Sequence, residues 1–295
     1  MIVRVLGSAA GGGVPQWNCA CLNCRAARTG RQPRRLQSSF AVSHDGERWW
    51  LVNASPDIAA QIEATPALQP RGERGTPIAG MLFTDANVDH MGGLAVTRQA
   101  GEHAFDIYSS ATVRALAMAQ RAFAAFGEPP HRWHVVAPDE RFALDGKLTV
   151  RVVPIGGATP GYDGRQPRAD AVVAYEIGSV SSGSRALFAP VFPSPDEPLL
   201  VAAADADIAF FDGSFWSDDE LCGIGVEKTA RALGHAPAGG AHGSLAALAA
   251  LPRRGRRFFA HLNNTNPLLD PSSDAFAEMT RGGFELAEDG MELIL

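Results

Sequence analysis

Thr84-Asp85-Ala86-Asn87-Val88-Asp89-His90 follows the apolar run Ile78-Ala79-Gly80-Met81-Leu82-Phe83 and precedes Gly92-Gly93 and a helix-like segment. The pattern is that of a buried strand ending in a loop of acids, an amide and one imidazole. In extended backbone Asp85, Asn87 and Asp89 alternate onto one side. Oxygen and imidazole donors gathered at the end of a strand suit a metal ion. Taken alone, Asp89-His90 has a plainer reading as a capped helix start with an exposed histidine.

Two more strand-like runs end in the same manner. Residues 208–211 deliver Asp212, and residues 257–260 deliver His261. Singly, Asp212-Gly213 reads as a turn and His261 as a core histidine with a hydrogen-bond partner. Three strand ends with ligand-type residues point instead to loops converging at one sheet edge.

The rest of the chain supplies the scaffold. Strands are expected at 1–6, 105–109, 147–154, 171–177 and 185–189, and at 40–43 and 49–53 around the hairpin signal Asp45-Gly46. Helical spacing marks 112–126, 228–233, 245–251 and 274–281, and Pro56 opens a further helix. Two runs of strands, each followed by helices, imply an α/β fold with helices outside two sheets, in one domain spanning 1–295. Gly7-Ser8-Ala9-Ala10-Gly11-Gly12-Gly13 lacks the lysine of a phosphate-binding loop, so its glycines are read as allowing close approach of backbone.

Bulk properties narrow the function classes. The 295 residues are 46% apolar, enough for a large core. Net charge is −6, and the densest basic cluster is only Arg253-Arg254 with Arg256-Arg257, which argues against nucleic acid as the main partner. No apolar run reaches the roughly 18 residues of a membrane span. The strand-like start lacks the features of a secretory leader, so a cytoplasmic location is expected. Three of the four cysteines crowd into Cys19-Ala20-Cys21-Leu22-Asn23-Cys24, a spacing that favours a structural zinc over a disulfide framework. Buried or redox-active thiols are the alternative. A fourth ligand must come from elsewhere, with Cys222, His235 and His242 as candidates.

The stretch from Leu82 to Leu94 resembles the metal-binding signature of the metallo-β-lactamase superfamily, His-x-His-x-Asp-His followed by Gly-Gly. Asp85 and Asn87 stand where its two leading histidines would be, while Asp89 and His90 are retained. Over nearly its whole length the chain is similar to one branch, the coenzyme PQQ (pyrroloquinoline quinone) biosynthesis protein B family. The likeness includes residues 7–15, the cysteine cluster, Asn53-Ala54-Ser55-Pro56-Asp57, Phe211-Asp212-Gly213-Ser214-Phe215-Trp216 and His261-Leu262-Asn263-Asn264-Thr265-Asn266-Pro267.

The resemblance implies a four-layer αββα sandwich. It places Asp89, His90 and His261 at one active-site metal, with Asp212 at the position of the bridging carboxylate. The second metal site looks dismantled, because residues 156–164 also lack a histidine. His235, after Gly234, matches a histidine that assists proton transfer in superfamily hydrolases, and His235 and Asp85 are expected in catalytic roles. Two imidazoles and a carboxylate with open positions suit Fe(II), although zinc, manganese or copper also fit such donors. The implied activity is iron- and oxygen-dependent hydroxylation of the tyrosine ring in a Glu–Tyr-derived precursor of PQQ. The alternatives are a metal-dependent hydrolase and a non-catalytic carrier assisting transport of PQQ or its precursor to the periplasm. Expected partners are that small substrate, dioxygen and, as one option, a second copy of the chain.

Overall fold

Neighbouring residues on a strand face opposite sides, and in this chain both sides are apolar. Trp50 packs with Val52, Phe188, Phe210 and Phe258, whereas Trp49 packs with Leu51, Ile58, Met81 and Val113. Phe211 and Phe259, adjacent to Phe210 and Phe258, join Leu199, Ala202, Leu245 and Met279 in a third cluster. Such doubly apolar strands belong to sheets covered on both faces. The computed structural model describes residues 1–101, 103–252 and 254–295; Arg253 of the basic cluster lies outside them.

The first sheet has the order β14-β1-β2-β3-β4-β5-β6, formed by Glu292–Ile294, Ile2–Gly7, Ser39–Ser43, Trp49–Val52, Ile78–Leu82, Asp106–Ser109 and Arg132–Val135. The second has the order β13-β12-β11-β10-β9-β8-β7, formed by Glu285–Leu286, Arg256–Ala260, Ile208–Asp212, Arg185–Ala189, Val173–Ser179, Leu148–Pro154 and Arg141–Ala143. Strands β3 to β6 run parallel, as do β10 to β13. The core cluster that contains Trp50 and Phe210 lies between the sheets. Ile58–Glu63 and Ala111–Met118 cover the outer face of the first; Glu197–Asp205, Ser244–Ala249 and Asp274–Arg281 cover that of the second. This is the four-layer αββα arrangement. Each wholly buried Phe, Leu or Val contributes about 1.5–3 kcal/mol relative to exposure.

Some elements differ from the sequence expectation. The helix expected over 112–126 stops at Met118, Gln120 is extended (φ −94°, ψ 113°), and Arg121–Gly127 continues as tighter 3-10 turns that bury Phe123 and Phe126. The helix expected over 228–233 is one 3-10 turn, Arg231–Leu233, ended by left-handed Gly234 (φ 93°). The helices Leu22–Arg28 and Glu197–Asp205 and the strands β6, β7, β13 and β14 were not expected. The strands are short edge pieces with little apolar alternation, β6 being exposed at both ends. Among the described residues, no helix is long and apolar enough to cross a membrane.

Two contacts clasp the sheets where β4 ends. Val173 N–H donates to the Thr84 carbonyl at 2.9 Å, and Tyr175 Oη donates to that of Phe83 at 3.0 Å. The C-terminal ends of β4, β11 and β12 all carry the ligand-type residues.

Candidate metal centre

The loop after β4 is built around Asp85, which is 1% exposed. One carboxylate oxygen accepts from the Asn87 N–H (2.9 Å) and the Asn87 side-chain amide (2.8 Å); the other accepts from Thr84 Oγ1 (2.8 Å). Thr84 is itself held by Asn53, which accepts from its N–H and donates to its hydroxyl, both at 3.0 Å. Asn53 has φ 62°, a left-handed conformation that asparagine tolerates better than most residues. The fixed carboxylate then receives His90 Nδ1 at 2.6 Å. With its proton on Nδ1, His90 offers the lone pair of Nε2, a buried atom with no hydrogen-bond partner among the described residues. Asp89 Oδ2 stands 3.9 Å from that nitrogen.

His261 reaches the same place from β12, at φ 57°. Ser214 Oγ lies 2.6 Å from Asp212 Oδ1 and 2.7 Å from His261 Nδ1. A hydroxyl has one proton; donated to the carboxylate, it leaves the oxygen to accept from His261 Nδ1–H. The Nε2 of His261 is thereby turned to Asp89 Oδ2, 3.1 Å away. The His90 and His261 rings meet edge to face with centroids 4.9 Å apart. Both imidazoles are therefore oriented through Nδ1 and converge through Nε2, the arrangement found around histidine-bound metals.

The ligand atoms of Asp89, His90 and His261 all lie within 4.8 Å of one another, and so do those of Asp212, His235 and His261. His235 Nδ1 is 2.8 Å from Asp212 Oδ2, which also accepts from the Phe192 N–H at 3.2 Å. His261 is common to both groups. Asp85 is apart from them, behind His90. The glycine-rich loop closes the third side: a Cβ on Gly11 would stand 3.3 Å from the Asp89 carboxylate. Ala10 N–H donates to the Leu262 carbonyl and Leu262 N–H to that of Ser8, each at 2.9 Å, tying that loop to the histidine.

The electrostatics follow from crowding charges out of water. Burial alone would lower the pKa of His90, but the Asp85 and Asp89 carboxylates win and raise it to about 9. His90 in turn holds both carboxyls below their usual range despite burial. His235 is raised by Asp212 against burial, whereas burial keeps His261 low. A bound cation would take over the role of these protons, since metal ligands must be deprotonated. The unpartnered nitrogen, the two Nδ1 anchors and the glycine cradle fit a metal ion.

A second cluster lies next to the first. The sulfurs of Cys19, Cys21 and Cys24 lie within 4.8 Å of one another, and no other Cys, His, Asp or Glu joins them among the described residues. Neither Cys222 nor His235 nor His242 is the neighbour; the Asn264 side-chain amide lies 3.1, 3.5 and 3.4 Å from the three sulfurs. Burial, outweighing the Gln16 N–H that donates to its sulfur, pushes the Cys24 thiol up to about 11. Asn264 is three residues beyond His261, so one loop serves both clusters. Sequence reasoning passed over Ser214, Asn53 and Thr84. Their signal was position: each sits at a strand end, within two residues of an acid or opposite one.

Comparison with known proteins bears on this geometry. Residues 48–261 match the family described as the beta-lactamase superfamily domain. The chain is 38% identical over 300 residues to coenzyme PQQ synthesis protein B of Ruegeria pomeroyi, covering 100% of both chains. It is 41% identical over 298 residues to the protein of the same name in Methylobacterium nodulans, covering 99% of each. The crystal structure of Zn²⁺-bound PqqB from Methylobacterium extorquens superposes with a TM-score of 0.94 at 38% identity, covering 100% of both chains.

Proposed function

Since the chain belongs to the coenzyme PQQ synthesis protein B family of the β-lactamase superfamily, we propose that it acts in PQQ synthesis as a metal-dependent oxygenase. The reaction is hydroxylation of the tyrosine ring of a Glu–Tyr-derived precursor. Asp89, His90 and His261 hold one active-site metal, and Cys19, Cys21 and Cys24 hold a structural zinc. The observation that carries this reading is the buried, unpartnered Nε2 of His90, set toward Asp89 and His261 by the Asp85 carboxylate. Two imidazoles and one carboxylate are the donors of non-haem Fe(II) sites; with Fe(II) bound, the centre supplies dioxygen activation.

The protein's own groups do the rest. Asp85 touches no substrate and acts through His90, as a positioning residue. Asp212 fixes the tautomer of His235, whose other nitrogen is free to exchange a proton with a molecule in the pocket of about 180 Å³ that Asp89, Ser214, Phe215, His235 and His261 border. Asp212 is spoken for by Ser214, His235 and the Phe192 amide, so its contribution to the metal is shared with this bracing role. Inserting one oxygen atom of O₂ into a ring C–H leaves the other to become water, which takes two electrons from an external reductant.

The test loads metal-free protein with Fe(II) under anaerobic conditions, adds Glu–Tyr dipeptide and ascorbate, then admits oxygen and follows product mass. A gain of oxygen on the ring supports the oxygenase. Bond cleavage without oxygen supports a hydrolase, and PQQ binding without turnover supports a carrier. His90→Ala abolishes turnover in the first case; full activity in that variant contradicts the site.

A further inference from the structure

Asn87, Arg165 and Leu233 border two cavities at once. One is the pocket at the candidate metal centre; the other, about 250 Å³, adjoins it. The second is lined by Arg165 and Arg231 and by apolar Val172, Val191, Pro193 and Leu233, and among the described residues no carboxylate lines it. In the first, Asp89 is the one acid among the described residues. The combined space thus has an imidazole–carboxylate end, Arg165 at the junction of the two cavities, and an apolar part that Arg231 also lines.

Arg165 is placed by its loop. It has φ 53° and follows left-handed Gly164 (φ 76°). The loop around it is pinned by Arg168 N–H to the Gly157 carbonyl (2.9 Å), Gln166 N–H to Thr159 Oγ1 (2.9 Å) and Tyr162 Oη to the Ala86 carbonyl (2.7 Å). Across the gap, Arg165 Nη1 donates to the Leu233 carbonyl at 2.9 Å, just before Gly234-His235. Arg231 donates through Nη2 to the His242 carbonyl at 3.4 Å. Each of these bonds uses one N–H of a planar fork with several. Among the described residues neither guanidinium has a carboxylate partner.

We propose that Arg165 and Arg231 form the carboxylate-recognition part of the active-site cleft and select acidic substrates with a flat or hydrocarbon body. A guanidinium fork matches a carboxylate in two parallel hydrogen bonds, which a lysine cannot reproduce. With the acid group held at the arginines, the body of the molecule lies toward the metal residues. This rests on the reading of the cleft as the site of chemistry on a Glu–Tyr-derived acid.

Binding tests it without turnover. PQQ, a tricarboxylate, and its trimethyl ester are titrated separately into zinc-loaded full-length protein, followed by ligand absorbance at low and at high salt. Arg165→Met and Arg231→Met are each expected to raise the Kd of PQQ roughly tenfold, with Arg231→Lys recovering only part of the loss. The ester is expected to bind weakly to every form. Because Arg165 also ties its loop to Leu233, Arg231→Met is the independent variant, and unchanged zinc content and unfolding midpoint certify both. PQQ affinity unaltered in both variants, or ester binding as tight as that of the acid, overturns the proposal. Arginine-dependent binding of PQQ without oxidation of the dipeptide sustains the arginine site and rejects the oxygenase. Oxygenase turnover with unaltered KM in the arginine variants does the reverse.

Discussion

By resemblance to the superfamily signature, Asp85 stands where a histidine would be, and its surroundings fit the positioning role proposed for it. Four donors converge on its two oxygens: Thr84 Oγ1, the Asn87 N–H and amide, and His90 Nδ1. Asp85→Asn keeps the shape but places an N–H₂ or a neutral oxygen against His90. Metal affinity at the active site is expected to fall about ten- to a hundredfold, measured by competition with a chelator, with the zinc of the cysteine cluster retained. Glu220 is a half-buried carboxylate with a measurable consequence. Burial pushes its pKa up to about 7, against hydrogen bonds from Thr265 Oγ1 and the Trp216 N–H. The unfolded chain gives up this proton near the ordinary value of 4.5, whereas the folded chain keeps it until about 7. Through that interval the unfolded state binds fewer protons, so this group makes stability decline as pH rises. Unfolding midpoints of wild type and Glu220→Gln across pH 4.5–8 are expected to diverge in that sense, the variant lacking the decline. Parallel curves contradict the assignment.

At the scale of elements, strand ends carry the design, and they were the most legible part of the sequence. The apolar runs of β4, β11 and β12 stop where Asp85, Asp212 and His261 begin, which a linear reading detects. The bracing was not legible, because Ser214 becomes meaningful only when β11 and β12 lie in register, Asp212 beside Ala260. The edge strands β6, β7, β13 and β14 escaped for a related reason: a strand covered on few sides has no need of alternating apolar residues. The loop from His261 to Asn266 is the element that joins the two clusters. Asn23 donates to the Asn264 and Asn266 carbonyls at 3.1 and 3.0 Å, holding the cysteine helix Leu22–Arg28 against it. Cys24→Ser is therefore expected to cost one equivalent of zinc per chain and to lower the unfolding midpoint by several degrees. Metal analysis and calorimetry check both; full zinc content in the variant contradicts a closed thiolate site.

For the whole molecule, the two sheets act as a frame whose parallel strands bring three distant chain segments to one edge. The likeness over the full length, together with the 38% identical PqqB structure, establishes that frame, and the proposed set of oxygen and imidazole donors differs from the imidazole-rich pair of a zinc hydrolase. The choice between oxygenation and hydrolysis comes down to where the new oxygen atom originates. The most direct measurement runs the Fe(II)-loaded turnover of the Glu–Tyr dipeptide under ¹⁸O₂ in unlabelled water, and then under ordinary O₂ in H₂¹⁸O, with product masses read in both. The expected result is a ring hydroxyl carrying ¹⁸O from the gas and none from the water. Label arriving only from water, or product formed in the absence of oxygen, contradicts an oxygenase at Asp89, His90 and His261.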